Sequence, residues 1–254
     1  MTRLRLTLAL ILAIGAWLIA SPVNAITFGH LDGNAHPNVG AMVVEFEGEK
    51  FIFCSGTLIA PRVFLTASHC TAAAEGLPVF VPFDPAPDES STFIPGTAHT
   101  NPLFASGGQS NTYDVAVIVL ETAPAGLTPA ALPTRNQLDG MNLKDQRFTA
   151  VGYGTVREDK TKGPQSFQEG GERRWVDQGF RSLTKSWLNL SMNPSTGSGG
   201  TCYGDSGGPH FIGQTSVIAA ITVTGDFPCR ATDVDYRMDT DSARDFLAGF
   251  VIVP

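Results

Sequence analysis

Cys202-Tyr203-Gly204-Asp205-Ser206-Gly207-Gly208-Pro209 gathers a candidate nucleophile, Ser206, three glycines and an acid into one short run. A serine hydroxyl is a weak nucleophile at neutral pH, so this reading demands a base to take its proton and a group to orient that base. Upstream, Thr66-Ala67-Ser68-His69-Cys70 supplies His69 beside a cysteine. Tyr113-Asp114-Val115-Ala116-Val117-Ile118-Val119-Leu120 supplies Asp114 at the head of an apolar run. The chain order is histidine, aspartate, serine. In α/β-hydrolases the serine of G-x-S-x-G comes before both partners, and their alternation of strand and helix patterns is missing here.

These three motifs, at compatible spacing, resemble those of the trypsin/chymotrypsin family of serine endopeptidases, from about residue 26 to the C-terminal helix. The resemblance implies an all-β chain of two packed six-stranded antiparallel β-barrels with a C-terminal helix. Residues 26–130 would form the first barrel, with His69 and Asp114, and residues 131–254 the second, with Ser206. It also implies the roles. Ser206 attacks the scissile carbonyl, His69 takes and returns the proton, Asp114 holds the imidazole tautomer, and the backbone N–H groups of Gly204 and Ser206 receive the oxyanion. A catalytically silent homologue acting as a binding module is the alternative; such proteins usually lack a triad member, and all three are present.

Residues 1–25 have a basic start at Arg3 and Arg5, an apolar stretch over residues 6–20 and small residues before Ile26, the pattern of a cleaved signal peptide. The apolar stretch falls short of the roughly 20 residues that span a bilayer, so a secreted protein, extracellular or periplasmic and without a membrane anchor, is expected. Removal of residues 1–25 takes two of the 17 basic residues and none of the 24 acidic ones, moving the formal charge from −7 to −9. Acidity of that size argues against nucleic acid as a partner. Cleavage would expose Ile26-Thr27-Phe28-Gly29, similar to the family's activated terminus, and the resemblance implies that the new amine of Ile26 pairs with Asp205.

Four cysteines in an exported chain suggest two disulfides, and arithmetic leaves three pairings open. The resemblance implies Cys54 with Cys70 and Cys202 with Cys229. It further implies a specificity pocket built from Gly200, Thr201, Thr222, Gly225 and Val234. Gly200 stands six residues before Ser206, where trypsins carry an aspartate, so Arg and Lys are disfavoured and small or medium uncharged side chains expected. The substrate class is protein or peptide, and a monomer is expected. His30, His36, His99 and His210 lack metal-ligand spacing and read as ordinary loop and turn residues, so no metal or cofactor is expected.

Short β-branched and aromatic runs between Gly, Pro and Asn clusters predict strands over 39–46, 51–59, 63–66, 115–120, 148–152, 187–191 and 217–223. A helix is predicted over 241–250, where Ala243, Phe246, Leu247 and Phe250 share a face and Asp239 or Thr240 caps the start. Residues 82–90, 105–111, 158–171 and 193–200 read as loops.

Overall fold

The computed structural model describes residues 26–157, 167–168 and 170–254, so the proposed signal peptide and most of the 158–171 loop lie outside the described residues. Six strands form the first barrel: β2 (Val39–Phe46), β3 (Glu49–Ala60), β4 (Val63–Thr66), β5 (Val79–Val81), β6 (Ile94–Thr100) and β7 (Ala116–Leu120). They are joined in the order β2-β3-β4-β7-β6-β5, and β5 pairs back onto β2. The β2–β3 hairpin turns on Glu47 and Gly48, both at positive φ, the geometry that matches strand twist in a two-residue loop.

The second barrel consists of β8 (Arg147–Gly152), β11 (Arg174–Leu183), β12 (Trp187–Ser191), β13 (Pro209–Ile212), β14 (Ile218–Gly225) and β15 (Thr232–Arg237). It closes because β8 pairs with both β13 and β11. Val156–Arg157 (β9) and Phe167–Gln168 (β10) make a small separate hairpin. Closure removes the open sheet edges that would otherwise invite pairing with other chains. The link between barrels passes through adjacent residues, since the N–H of Ala130 donates to Leu58 O and that of Ala131 to Ser216 O.

Two segments depart from the sequence reading. His30–Leu31 (β1) pairs with Arg174 and Trp175 of β11, so this segment lies on the second barrel, whereas the sequence places residues 26–130 in the first. Thr27 reinforces this by exchanging backbone hydrogen bonds with Gly200. The terminal helix, α2 (Asp241–Leu247), begins at a Thr240 cap but stops short of 250, where Gly249 lies in the turn that follows. Ala243 and Leu247 still reach the core, and Phe250 packs against it from the turn.

One fully buried cation ties the barrels together. Arg173 donates to Asp32 Oδ2 at 2.8 Å, to Val39 O and Phe83 O of the first barrel, and to the Tyr153 hydroxyl of the second. Burial alone would raise the Asp32 carboxyl; the hydrogen bonds from His36 and Arg173 outweigh it and hold it below the ordinary value. Arg173→Met is expected to destabilise the fold by about 3–5 kcal/mol, because it strands Asp32 as a buried, under-paired charge. Urea unfolding checks this; a shift below about 1 kcal/mol would contradict it.

Candidate active site

His69 enters the cleft from the first turn of α1 (Ser68–Ala73), a short helix whose start has no side-chain cap from Ala67. Asp114 supplies what is missing. Its Oδ1 accepts the His69 backbone N–H at 2.9 Å while its Oδ2 accepts from His69 Nδ1 at 2.8 Å. Both oxygens of this buried carboxylate therefore serve one residue, and Nδ1 must carry the proton. That leaves Nε2 as the acceptor nitrogen. Asp114 is aimed by a sharp turn in which Tyr113 adopts φ 53° and accepts the N–H of Val115. Ser68 Oγ locks the turn by donating to Val115 O at 2.8 Å.

The loop bearing Ser206 docks on the loop bearing His69 through Ser55. The Ser55 N–H donates to Ser206 O at 2.9 Å, its hydroxyl donates to Gly204 O and accepts from Tyr153 N, and its carbonyl accepts from Thr66 Oγ1. Gly207 sits at φ +78°, and a Cβ there would lie 2.2 Å from Thr66 Oγ1 and 2.7 Å from Ala67 N. No side chain fits between the two loops. Disulfides Cys54–Cys70 and Cys202–Cys229 fasten the loops to β3 and to the Asp226–Ala231 turn. The Ser206 hydroxyl makes no hydrogen bond among the described residues, and the N–H groups of Gly204 and Ser206 have no acceptor among them. Gly204 holds φ +95°, turning its amide as the loop requires.

Asp205 is fully buried, with Oδ1 accepting from Gly154 N and Oδ2 from Cys202 N, each at 2.8 Å. Burial pushes its carboxyl up to about 7, and those two N–H groups offset only part of the rise. Ile26, also buried, packs on Ala150 and Val176. Asp205 closes over Gly152, two residues along β8 from Ala150 and on the same face of that strand.

Among the residues expected in the specificity pocket, Gly200 abuts the Met192 side chain and Thr201 Oγ1 donates to Asp233 at 2.7 Å. Thr222 exchanges backbone bonds with Gly207 and Gly208, while Gly225 pairs with Asp233 at the end of β14. Val234 is set apart: strand alternation puts it on the face of β15 opposite Asp233 and Asp235, so it does not line the same side as Thr201 and Thr222. The sequence reading does not single out Ser55 or Gly154, whose roles are backbone contacts that no motif signals; Asp233 and Asp235 stand out in the sequence only as acids able to reach the pocket. A cavity of about 990 Å³ between Asn101, Leu183 and Phe246 contains none of His69, Asp114 and Ser206. A smaller cavity of about 290 Å³, bounded by Ile52, Thr155, Tyr203 and Gly204, adjoins the loop that carries Ser206.

Among the described residues, no helix is long and apolar enough to cross a membrane. A model of the Trypsin family matches residues 32–246. Brachyurin from Leptuca pugilator is 30% identical over 230 residues, spanning 81% of this chain and 92% of its own. The solved structure of HL collagenase superposes with a TM-score of 0.70 at 17% identity, over 89% of this chain and 100% of that one. Neuropsin, a serine protease expressed in the limbic system of mouse brain, gives 0.63 at 22% identity, over 84% and 95%. The chain belongs to the trypsin/chymotrypsin family and is a chymotrypsin-like serine endopeptidase.

Proposed function

We propose that this endopeptidase is secreted and cleaves protein or peptide substrates through Ser206, His69 and Asp114, acting as a monomer. The observation that carries the reading is the double use of Asp114, which fixes the His69 tautomer with Nε2 directed away from it. Ser206 Oγ attacks the carbonyl carbon as its proton passes to Nε2, and the tetrahedral oxyanion takes the two unused amides of Gly204 and Ser206. The imidazolium, stabilised by Asp114, then hands that proton to the leaving amine; water repeats the sequence on the acyl-enzyme. An apo hydroxyl without a partner is compatible with this course, since such bonds tighten on substrate binding.

Ile26, released by signal cleavage, supplies the ammonium that Asp205 lacks. Gly200 offers no charge to a basic side chain, and the nearby carboxylate of Asp233 is already engaged by Thr201 and Gln178. An unpaired cation would be costly there, so uncharged side chains of small or medium size are favoured. The test combines three measurements on the secreted protein: fluorophosphonate labelling, mass spectrometry of its terminus, and cleavage of a peptide panel. Labelling at Ser206, a chain starting at Ile26 and a preference for uncharged residues before the cut are expected. An intact chain that never labels would instead support the binding-module alternative, a start well beyond Ile26 would remove the activation pair, and strong Arg preference would overturn the pocket reading.

A further inference from the structure

His210 follows Ser206 by four residues and, on β13, faces the interior of the second barrel, where the sequence reading had placed an ordinary turn histidine. Its Nε2 lies 2.8 Å from Asp235 Oδ1, 3.0 Å from Thr222 Oγ1 and 3.9 Å from Asp233 Oδ2. His210, Asp233 and Asp235 are wholly buried, and Thr222 nearly so. Asp233 and Asp235 share a face of β15. Asp233 is well supplied with donors, from Gln178 Nε2 and Thr201 Oγ1. Asp235 has only the His210 ring and its fellow acid close to it. Burial and the charge of Asp233 push the Asp235 carboxyl well above its ordinary range, a cost that a proton on the adjoining His210 ring offsets.

The cluster touches both ends of the nucleophile loop. At the start, Asp233 holds Thr201, the residue before Cys202. At the far end, Thr222 O accepts the Gly207 N–H at 2.8 Å and the Thr222 N–H donates to Gly208 O at 2.9 Å, while the Thr222 hydroxyl rests on the His210 ring. We propose that His210 is a positioning residue of the peptidase reaction: its charged ring, held by Asp235 and Asp233, anchors Thr222 and thereby keeps Gly207 and Gly208 in place behind Ser206. The proposal rests on the peptidase reading of Ser206 given above.

Burial by itself lowers the pKa of this ring; the charge and hydrogen bond of Asp235, with the charge of Asp233, outweigh it and raise the net value. The groups facing the ring are Asp233 and Asp235 from β15 and Asp205 from the loop, all acids. Thr222 from β14 and Ala150, its neighbour across on β8, bring no titrating group. The charge is therefore present below the ordinary histidine value and is lost as pH rises through the raised folded value, taking the anchor with it.

Steady-state kinetics of the mature protein across the pH range test this, with His210→Asn and Asp235→Asn as variants and active sites counted by fluorophosphonate. His210→Asn is expected to lower kcat by about 10-fold or more with KM little changed, and to remove one component of the alkaline fall. In parallel, NMR of histidine rings should show His210 titrating above the exposed histidines in the wild type and dropping back in Asp235→Asn. Should His210→Asn not fold, Asp235→Asn and the wild-type titration still decide. A reactive wild type whose variants keep its kcat and pH profile overturns the proposal alone, as does a ring that titrates at or below the ordinary value, or one that binds added zinc with loss of its proton. A wild type that never labels removes the peptidase reading and the proposal together.

Discussion

Replacing Ser206 with alanine is expected to lower kcat on a peptide substrate by on the order of 10⁶-fold and to abolish fluorophosphonate labelling. Among the described residues, the sulfurs near His69 are joined in the Cys54–Cys70 disulfide and the Ser68 hydroxyl donates to Val115 O, so neither replaces the lost hydroxyl. His69→Ala should cost about the same, and the double variant hardly more, because the two act as one unit. Asp114→Asn is expected to fall less far, by about 10⁴-fold. The amide oxygen can still accept the His69 backbone N–H, now made to Asp114 Oδ1 at 2.9 Å, but its NH₂ would face Nδ1 and force the wrong tautomer. Stability should hardly change in Ser206→Ala, whose hydroxyl has no hydrogen-bond partner among the described residues. Kinetics and urea unfolding on the same preparations separate the two effects; residual turnover within tenfold of wild type would remove Ser206 from the chemistry.

How far the sequence alone reached follows from what each element asks of its residues. Strands such as Val39–Phe46 and Trp187–Ser191 were legible because apolar and β-branched residues fill them. Ile94–Thr100 was not, since Pro95 and Gly96 weaken strand propensity and only the pairing with Val79–Val81 and Ala116–Leu120 makes it one. Arg174–Leu183 and Thr232–Arg237 hid for another reason: they carry Arg, Asp and Gln inward, where tertiary partners such as Gln178 with Asp233 satisfy them. Within the candidate site, His69, Asp114 and Ser206 stood out through short motifs. Ser55 and Gly154 did not, because their value lies in backbone positions that the fold alone brings beside Gly204 and Asp205.

Processing should change stability in a manner set by Asp205. When Ile26 carries no free amine, the unfolded carboxyl releases its proton near 3.8 and the folded one, raised by burial, near about 7. Between those values the folded state binds the extra proton, so its stability falls as pH rises through the window, by about 4 kcal/mol in all. A mature terminus reverses the sign. On the proposed pairing, an ammonium beside Asp205 favours the ionised carboxyl, so the loss disappears, and the same pair would order the loop that carries Gly204 and Ser206. A chain beginning at Ile26 and one extended by a short Gly-Ser leader are therefore expected to unfold at similar urea concentrations near pH 4 and to diverge by a few kcal/mol near pH 7. The gap should close again in alkali, as the amine, lifted by the pair above its ordinary value of roughly 8, loses its proton. Activity should follow: the extended chain is expected to be about 10²-fold slower or worse at neutral pH, as befits an unpaired buried charge worth 3–5 kcal/mol. Asp205→Asn in the mature chain should erase the gap and lower kcat with it. Parallel unfolding curves for the two chains between pH 4 and 7, or equal kcat, would show that the Asp205 carboxyl finds its counter-charge elsewhere.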